Sequence, residues 1–177
     1  MFTRPFRVHR LLACLSIAAA CTAMTGCESA AEITDYTAPK DSDANRPFSC
    51  RVPSEWVLGA NDRFSKLAFE SKTGARITVS SLNGSGDEFL LININRWRRQ
   101  VALAPIEKLE GLGKAELKKG EAQFVKLAGE TKALEGAMVE HGGRTWFFKM
   151  SGTVASVADQ SDEFSDFLKS VEFFERS

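Results

Sequence analysis

The sequence predicts an α+β fold, an antiparallel β-sheet packed with two main helices. Three observations carry this. Short stretches with alternating apolar and polar residues recur between turn signals. One hexapeptide, Thr145–Met150, is apolar on both faces, as a central strand requires. Only two segments carry apolar residues at helical spacing.

The domain begins at about residue 48, and Phe48–Val52 reads as a first strand ended by Pro53. Residues 63–70 and 75–82 read as a strand pair around the hairpin signal Lys72-Thr73-Gly74. In the second of these, Ile77 and Val79 share one face while Arg76, Thr78 and Ser80 take the other. Asn83–Asp87 is a Gly/Ser-rich loop with Asp87 as the expected N-cap of a helix running to about Val101. That helix stacks Leu90, Ile94, Trp97 and Val101 on one face. Residues 113–119, 121–128 and 132–140 read as strands punctuated by Gly120 and Gly129, and His141-Gly142-Gly143-Arg144 as a tight turn. A last helix over about 154–170 carries Val157, Phe164, Leu168 and Val171, and a short strand at 172–174 closes the domain.

The N-terminus is of a different kind. Residues 1–10 are basic, 11–20 are an unbroken apolar and small-residue run, and small residues lead to Thr25-Gly26-Cys27. This is the layout of a secretory signal peptide, and its apolar stretch is shorter than the about 20 residues of a bilayer span. Met24-Thr25-Gly26-Cys27 resembles the bacterial lipobox, with Met24 where Leu is usual. The resemblance implies cleavage after residue 26 and diacylglycerol on the Cys27 thiol. Membrane lipid is thus an expected partner, and two or three acyl chains hold a protein stably where one is marginal. The Ala18-Ala19-Ala20-Cys21 alternative lacks the larger aliphatic residue. Glu28 rather than Asp after the cysteine favours the outer membrane, so the expected location is the periplasmic face of a bacterial envelope. Residues 27–47 are polar and contain Pro39 and Pro47, a lipidated flexible tether reaching about 25 Å.

Charge narrows the function. The chain has 23 bases and 23 acids, but Arg4, Arg7 and Arg10 lie in residues 1–26, leaving 20 bases against 23 acids. A mildly acidic domain does not carry the basic field that nucleic-acid binding demands.

No catalytic constellation is legible. His141 is the one histidine past residue 26, set in a Gly-Gly turn, and there is no Gly-x-Ser-x-Gly elbow. Cys50 and His141 alone do not make a zinc set, Asp87-Glu88 falls short of a calcium loop, and Asn83–Gly86 lacks the lysine of a P-loop. No metal or cofactor is expected. Cys50 reads as a buried thiol of the first strand, with an intermolecular disulfide as the alternative. Arg96, Arg98 and Arg99 around Trp97 are candidate anion- or partner-binding residues, set against a plain solvated helix face. With Trp97 facing inward, Arg96 and Arg99 should point away and Arg98 should flank the apolar face.

From Phe48 to Phe174 the layout resembles the PsbP-like family. The shared features are Pro53-x-x-Trp56, the strand hairpin, the mid-chain helix, Trp146–Gly152 and the closing Phe167–Phe173. The segments Asn95–Arg98 and Glu140–Gly143 resemble those of bacterial lipoproteins. This resemblance implies an α/β/α sandwich that binds a protein partner or assists a larger envelope assembly, and it transfers no catalytic residue. Carriage of a small apolar ligand between sheet and helix, and an enzyme acting on envelope material, are the alternatives.

Overall fold

The computed structural model describes residues 46–174; the signal segment, Cys27 and most of the tether lie outside the described residues. The main sheet has seven strands in the order β2-β3-β4-β8-β7-β6-β5, every neighbouring pair antiparallel. They are β2 (Val57–Leu58), β3 (Ser65–Glu70), β4 (Arg76–Asn83), β5 (Gly113–Glu116), β6 (Glu121–Ala128), β7 (Lys132–His141) and β8 (Arg144–Thr153). The first strand, β1 (Phe48–Ser49), stands apart from it and pairs with the last, β9 (Glu172–Phe173).

Strand β8 is fourth of seven, the central position its two-faced apolarity demands. Its alternate residues feed two cores. Trp146, Phe148 and Met150 join Ile77, Val79, Phe69 and Phe48 on one face. Phe147 joins Leu134, Met138 and Val125 on the other. Helix α1 (Gly86–Gln100) covers the second face with Leu90, Ile94 and Trp97, three side chains whose burial contributes about 1.5–3 kcal/mol each. Helices α2 (Val154–Asp159) and α3 (Ser161–Ser170) supply Val157, Phe164, Phe167 and Leu168 to the first. Helices on both sides of one sheet make an α/β/α sandwich.

Three local expectations are corrected. The single helix over 154–170 is two, broken at Gln160, whose backbone leaves the helical region (φ −105°, ψ 8°). Its side-chain oxygen accepts from the buried Trp56 indole N–H at 2.7 Å, a tertiary contact no local pattern announces. Ser85, not Asp87, is the N-cap of α1, and it makes no side-chain cap bond; the Gly86 amide instead donates to Glu140 Oε1 of β7 at 2.8 Å. The Asn83–Asp87 segment is thereby pinned, since Thr145 Oγ1 also donates to the Gly84 carbonyl at 2.6 Å. Finally, Cys50 lies just past β1 rather than within it and is half-buried; desolvation pushes its thiol up to about 11, with Arg46 opposing.

The turn after β7 is as tight as expected, with Gly142 and Gly143 both at positive φ, +60° and +72°. His141 is half-buried at its edge, its ring 4.7 Å from that of Phe173 and its Nε2 3.1 Å from the Phe174 carbonyl. Strand β2 was not anticipated. Two residues with both side chains exposed give no alternation to read.

Candidate functional site

Helix α1 is narrower than the sheet beneath it. Its apolar stripe covers the β6–β7–β8 part, so the β3–β4 side of that face opens as a groove of about 250 Å³. Asp62, Phe64 and Ser65 form one rim, Thr78 and Ser80 the floor, and Arg96 and Gln100 of α1 the other rim. Lys149 lies beside them on β8, its ammonium 3.4 Å from Gln100 Oε1.

The helix repeat explains the placement. Trp97 is 3% exposed and points at the sheet, where Gly136 gives it room. Arg96 and Gln100, one turn apart, fall on the flank toward β4. The three arginines thus take different roles, and the expectation that Arg96 points away from the sheet is corrected. Arg96 lines the groove. Arg98 lies on the opposite flank and donates to the Ala104 carbonyl at 2.6 Å, with Asn95 clamping Ile106 beside it at 2.8 Å in both directions. Arg99 stays exposed. None of the three pairs with a carboxylate among the described residues.

The groove's electrostatics follow from burial and charge. Desolvation holds Lys149 below the ordinary lysine range, and the Arg96 guanidinium adds to the shift while Asp62 opposes it. Asp62 is held below the ordinary carboxylate range, first by the Ser65 hydroxyl and then by the Phe64 amide. Those bonds, at 2.5 and 2.9 Å, spend one Asp62 oxygen on its own turn. Phe64 is 68% exposed and sits under the Arg63 guanidinium, 5.9 Å from its ring centre. The groove therefore presents Arg96 and Lys149, with the Asp62 carboxylate at its rim, around an exposed aromatic ring. Phe64 and Lys149 are not legible as site residues in the sequence, since Phe64 belongs to no motif, Lys149 stands in a segment read as a central strand, and only the registers of β4 against β3 and β8 bring them near Arg96.

Among the described residues no three His, Cys, Asp or Glu side chains converge to hold a metal ion. No described helix is long and apolar enough to cross a membrane.

No protein-family model matches the sequence, and no curated protein is significantly similar to it. Solved structures are similar in shape. Cyanobacterial PsbP (CyanoP) of Synechocystis sp. PCC 6803 superposes with a TM-score of 0.52 at 8% identity, covering 78% of this chain and 91% of CyanoP. A protein of Bacteroides thetaiotaomicron gives 0.48 at 10% identity over 73% of this chain, which spans 46% of that longer one. LpqN of Mycobacterium tuberculosis, involved in cell envelope biogenesis, gives 0.46 at 12% identity over 72% of this chain and 83% of its own. The likeness to CyanoP is one of architecture, and on it the described domain has the PsbP-like fold.

Proposed function

We propose that this chain is a lipid-anchored envelope protein whose domain binds an acidic protein partner through the groove beside α1, assisting assembly of an envelope complex. The lipobox-like Met24–Cys27 supports the anchor and the location. One observation carries the binding: Arg96, with no carboxylate partner among the described residues, stands with the desolvated Lys149 beside the exposed Phe64 ring. Interface anchors are typically aromatic and arginine side chains, and opposed charge steers encounter. At about 250 Å³ the groove is smaller than the roughly 300–1,000 Å³ of drug-sized ligand sites and suits side chains of a partner. Carriage of an apolar ligand under α1 is disfavoured because Trp97 fills that space; a Cβ on Gly136 would meet its ring at 2.2 Å.

The test is a photo-reactive amino acid at Phe64 of the full chain, expressed in its host envelope. A discrete protein adduct that Arg96→Glu removes is expected. No adduct, or one indifferent to Arg96→Glu, overturns the reading. Mass spectrometry of the mature N-terminus checks the anchor, with acylated Cys27 as the expected first residue.

A further inference from the structure

A second cleft lies on the other face of the sheet from the groove, the face carrying Trp146, and it has a different chemistry. It measures about 290 Å³ and is walled by Pro47, Lys66, Ser81, His141, Gly142, Arg144 and Trp146. Two full positive charges line it and no acid does.

Arg144 is fixed in place without being neutralised. Its Nε donates to Ser81 Oγ at 3.1 Å, Nη2 to the Ser81 carbonyl at 3.1 Å, and Nη1 to Asn83 Oδ1 at 2.6 Å. All three acceptors are uncharged, so the guanidinium is oriented while its charge stays uncompensated. Lys66 sits at the register shift between Ser65 and Leu67 of β3, exposed and without an ion-pair partner among the described residues. The third observation is independent of charge. Trp146 is 3% exposed, and its buried indole N–H has no acceptor among the described residues. A buried unpaired donor costs about 1–3 kcal/mol, so this indole is sensitive to any acceptor that comes near it.

We infer that this cleft is a binding site for a phosphate monoester group. Two cations without an acid match a dianion better than the single charge of a carboxylate. Because Arg144 spends three N–H groups on Ser81 and Asn83, it acts as a fixed charge, with Lys66 as the mobile one. The Trp146 indole and the Ser81 hydroxyl border the same space, so the unpaired indole N–H reports what the cleft holds. The Gly-rich turn before α1, the conventional place to look for phosphate, is closed to it, because the Glu140 carboxylate already occupies the Gly86 amide.

The test uses the full chain in detergent, labelled with nitrogen-15, and reads its three indole N–H signals, with Trp146 assigned by Trp146→Phe. Inorganic phosphate should shift the Trp146 signal saturably. The Trp56 signal, whose N–H is bonded to Gln160, should stay in place. Lys66→Gln, at an exposed position that leaves the core intact, should weaken binding about tenfold, and Lys66→Glu should abolish it. Glycerol 3-phosphate and vesicles with phosphatidic acid separate a free ester from a lipid headgroup, a shift by either one supporting the site. A Trp146 signal that ignores all three probes overturns it, as does an equal shift with chloride at matched ionic strength or one unchanged by Lys66→Glu.

Discussion

Gly136 and Trp97 show how one position sets the sandwich. A Cβ on Gly136 would lie 2.2 Å from Trp97 Cζ3 and 2.7 Å from Cη2, so the indole packs directly on bare backbone. Replacing Gly136 with Ala forces α1 outward or Trp97 off its rotamer. The substitution should destabilise the protein by about 1–3 kcal/mol, even after the entropy that alanine removes from the unfolded chain. Urea unfolding followed by tryptophan fluorescence checks it. Trp97 was legible as core from its helical spacing, but its glycine partner was not. Gly136 sits mid-strand on a different element, and only the β7 register places it beneath the ring. The same holds for Arg96, whose place on the groove rim only the packing of α1 on the sheet decides.

Helix α1 ends on a strained residue rather than a glycine. Val101 and Ala102 close the last turn onto the Arg98 and Arg99 carbonyls, and Ala102 takes φ +59° to do so. A left-handed alanine costs about 1–2 kcal/mol that glycine avoids, less what glycine's freedom in the unfolded state returns. Ala102→Gly should therefore raise stability by up to about 1 kcal/mol, seen as a higher denaturant midpoint at unchanged slope. The apolar spacing marks the end of this helix near Val101, but no signal marks Ala102 as the residue that bears the turn. The break at Gln160 has the same origin. Local composition favours a continuous helix, and the hydrogen bond from Trp56, over a hundred residues away, selects the interruption.

The ends of the domain are held to each other and to the far sheet edge. Phe174 donates its amide to the Pro47 carbonyl at 2.7 Å beside the β1–β9 pair. Lys118 donates its amide to the Val171 carbonyl, and the ammonium groups of Lys118 and Lys119 both reach Glu172 at 2.6 Å. The hydrogen bonds from Lys118 and Lys119 hold the Glu172 carboxyl at about 2, from an ordinary 4.5. A carboxyl depressed in the folded state stabilises it above the unfolded value, and that contribution is lost as pH falls through the folded one. Glu172→Gln should thus lower the melting temperature at neutral pH. The gap from the parent should close between about pH 4.5 and about 2. Thermal melts across that range check it, and a gap that stays constant would sever the link between Glu172 and the lysine pair.

By itself the sequence determined the α+β class, the central place of Thr145–Met150, the inward stripe of α1 and the turn at His141–Arg144. Each is set by side-chain periodicity or backbone sterics within a dozen residues, where burial and turn geometry act locally. Tertiary structure decided that β1 leaves the main sheet for β9 and that α1 covers only part of its face. It also decided that cations scattered along the chain gather in two separate places. Those outcomes depend on strand order and register, which join residues far apart in sequence through contacts that exist only once the sheet has formed.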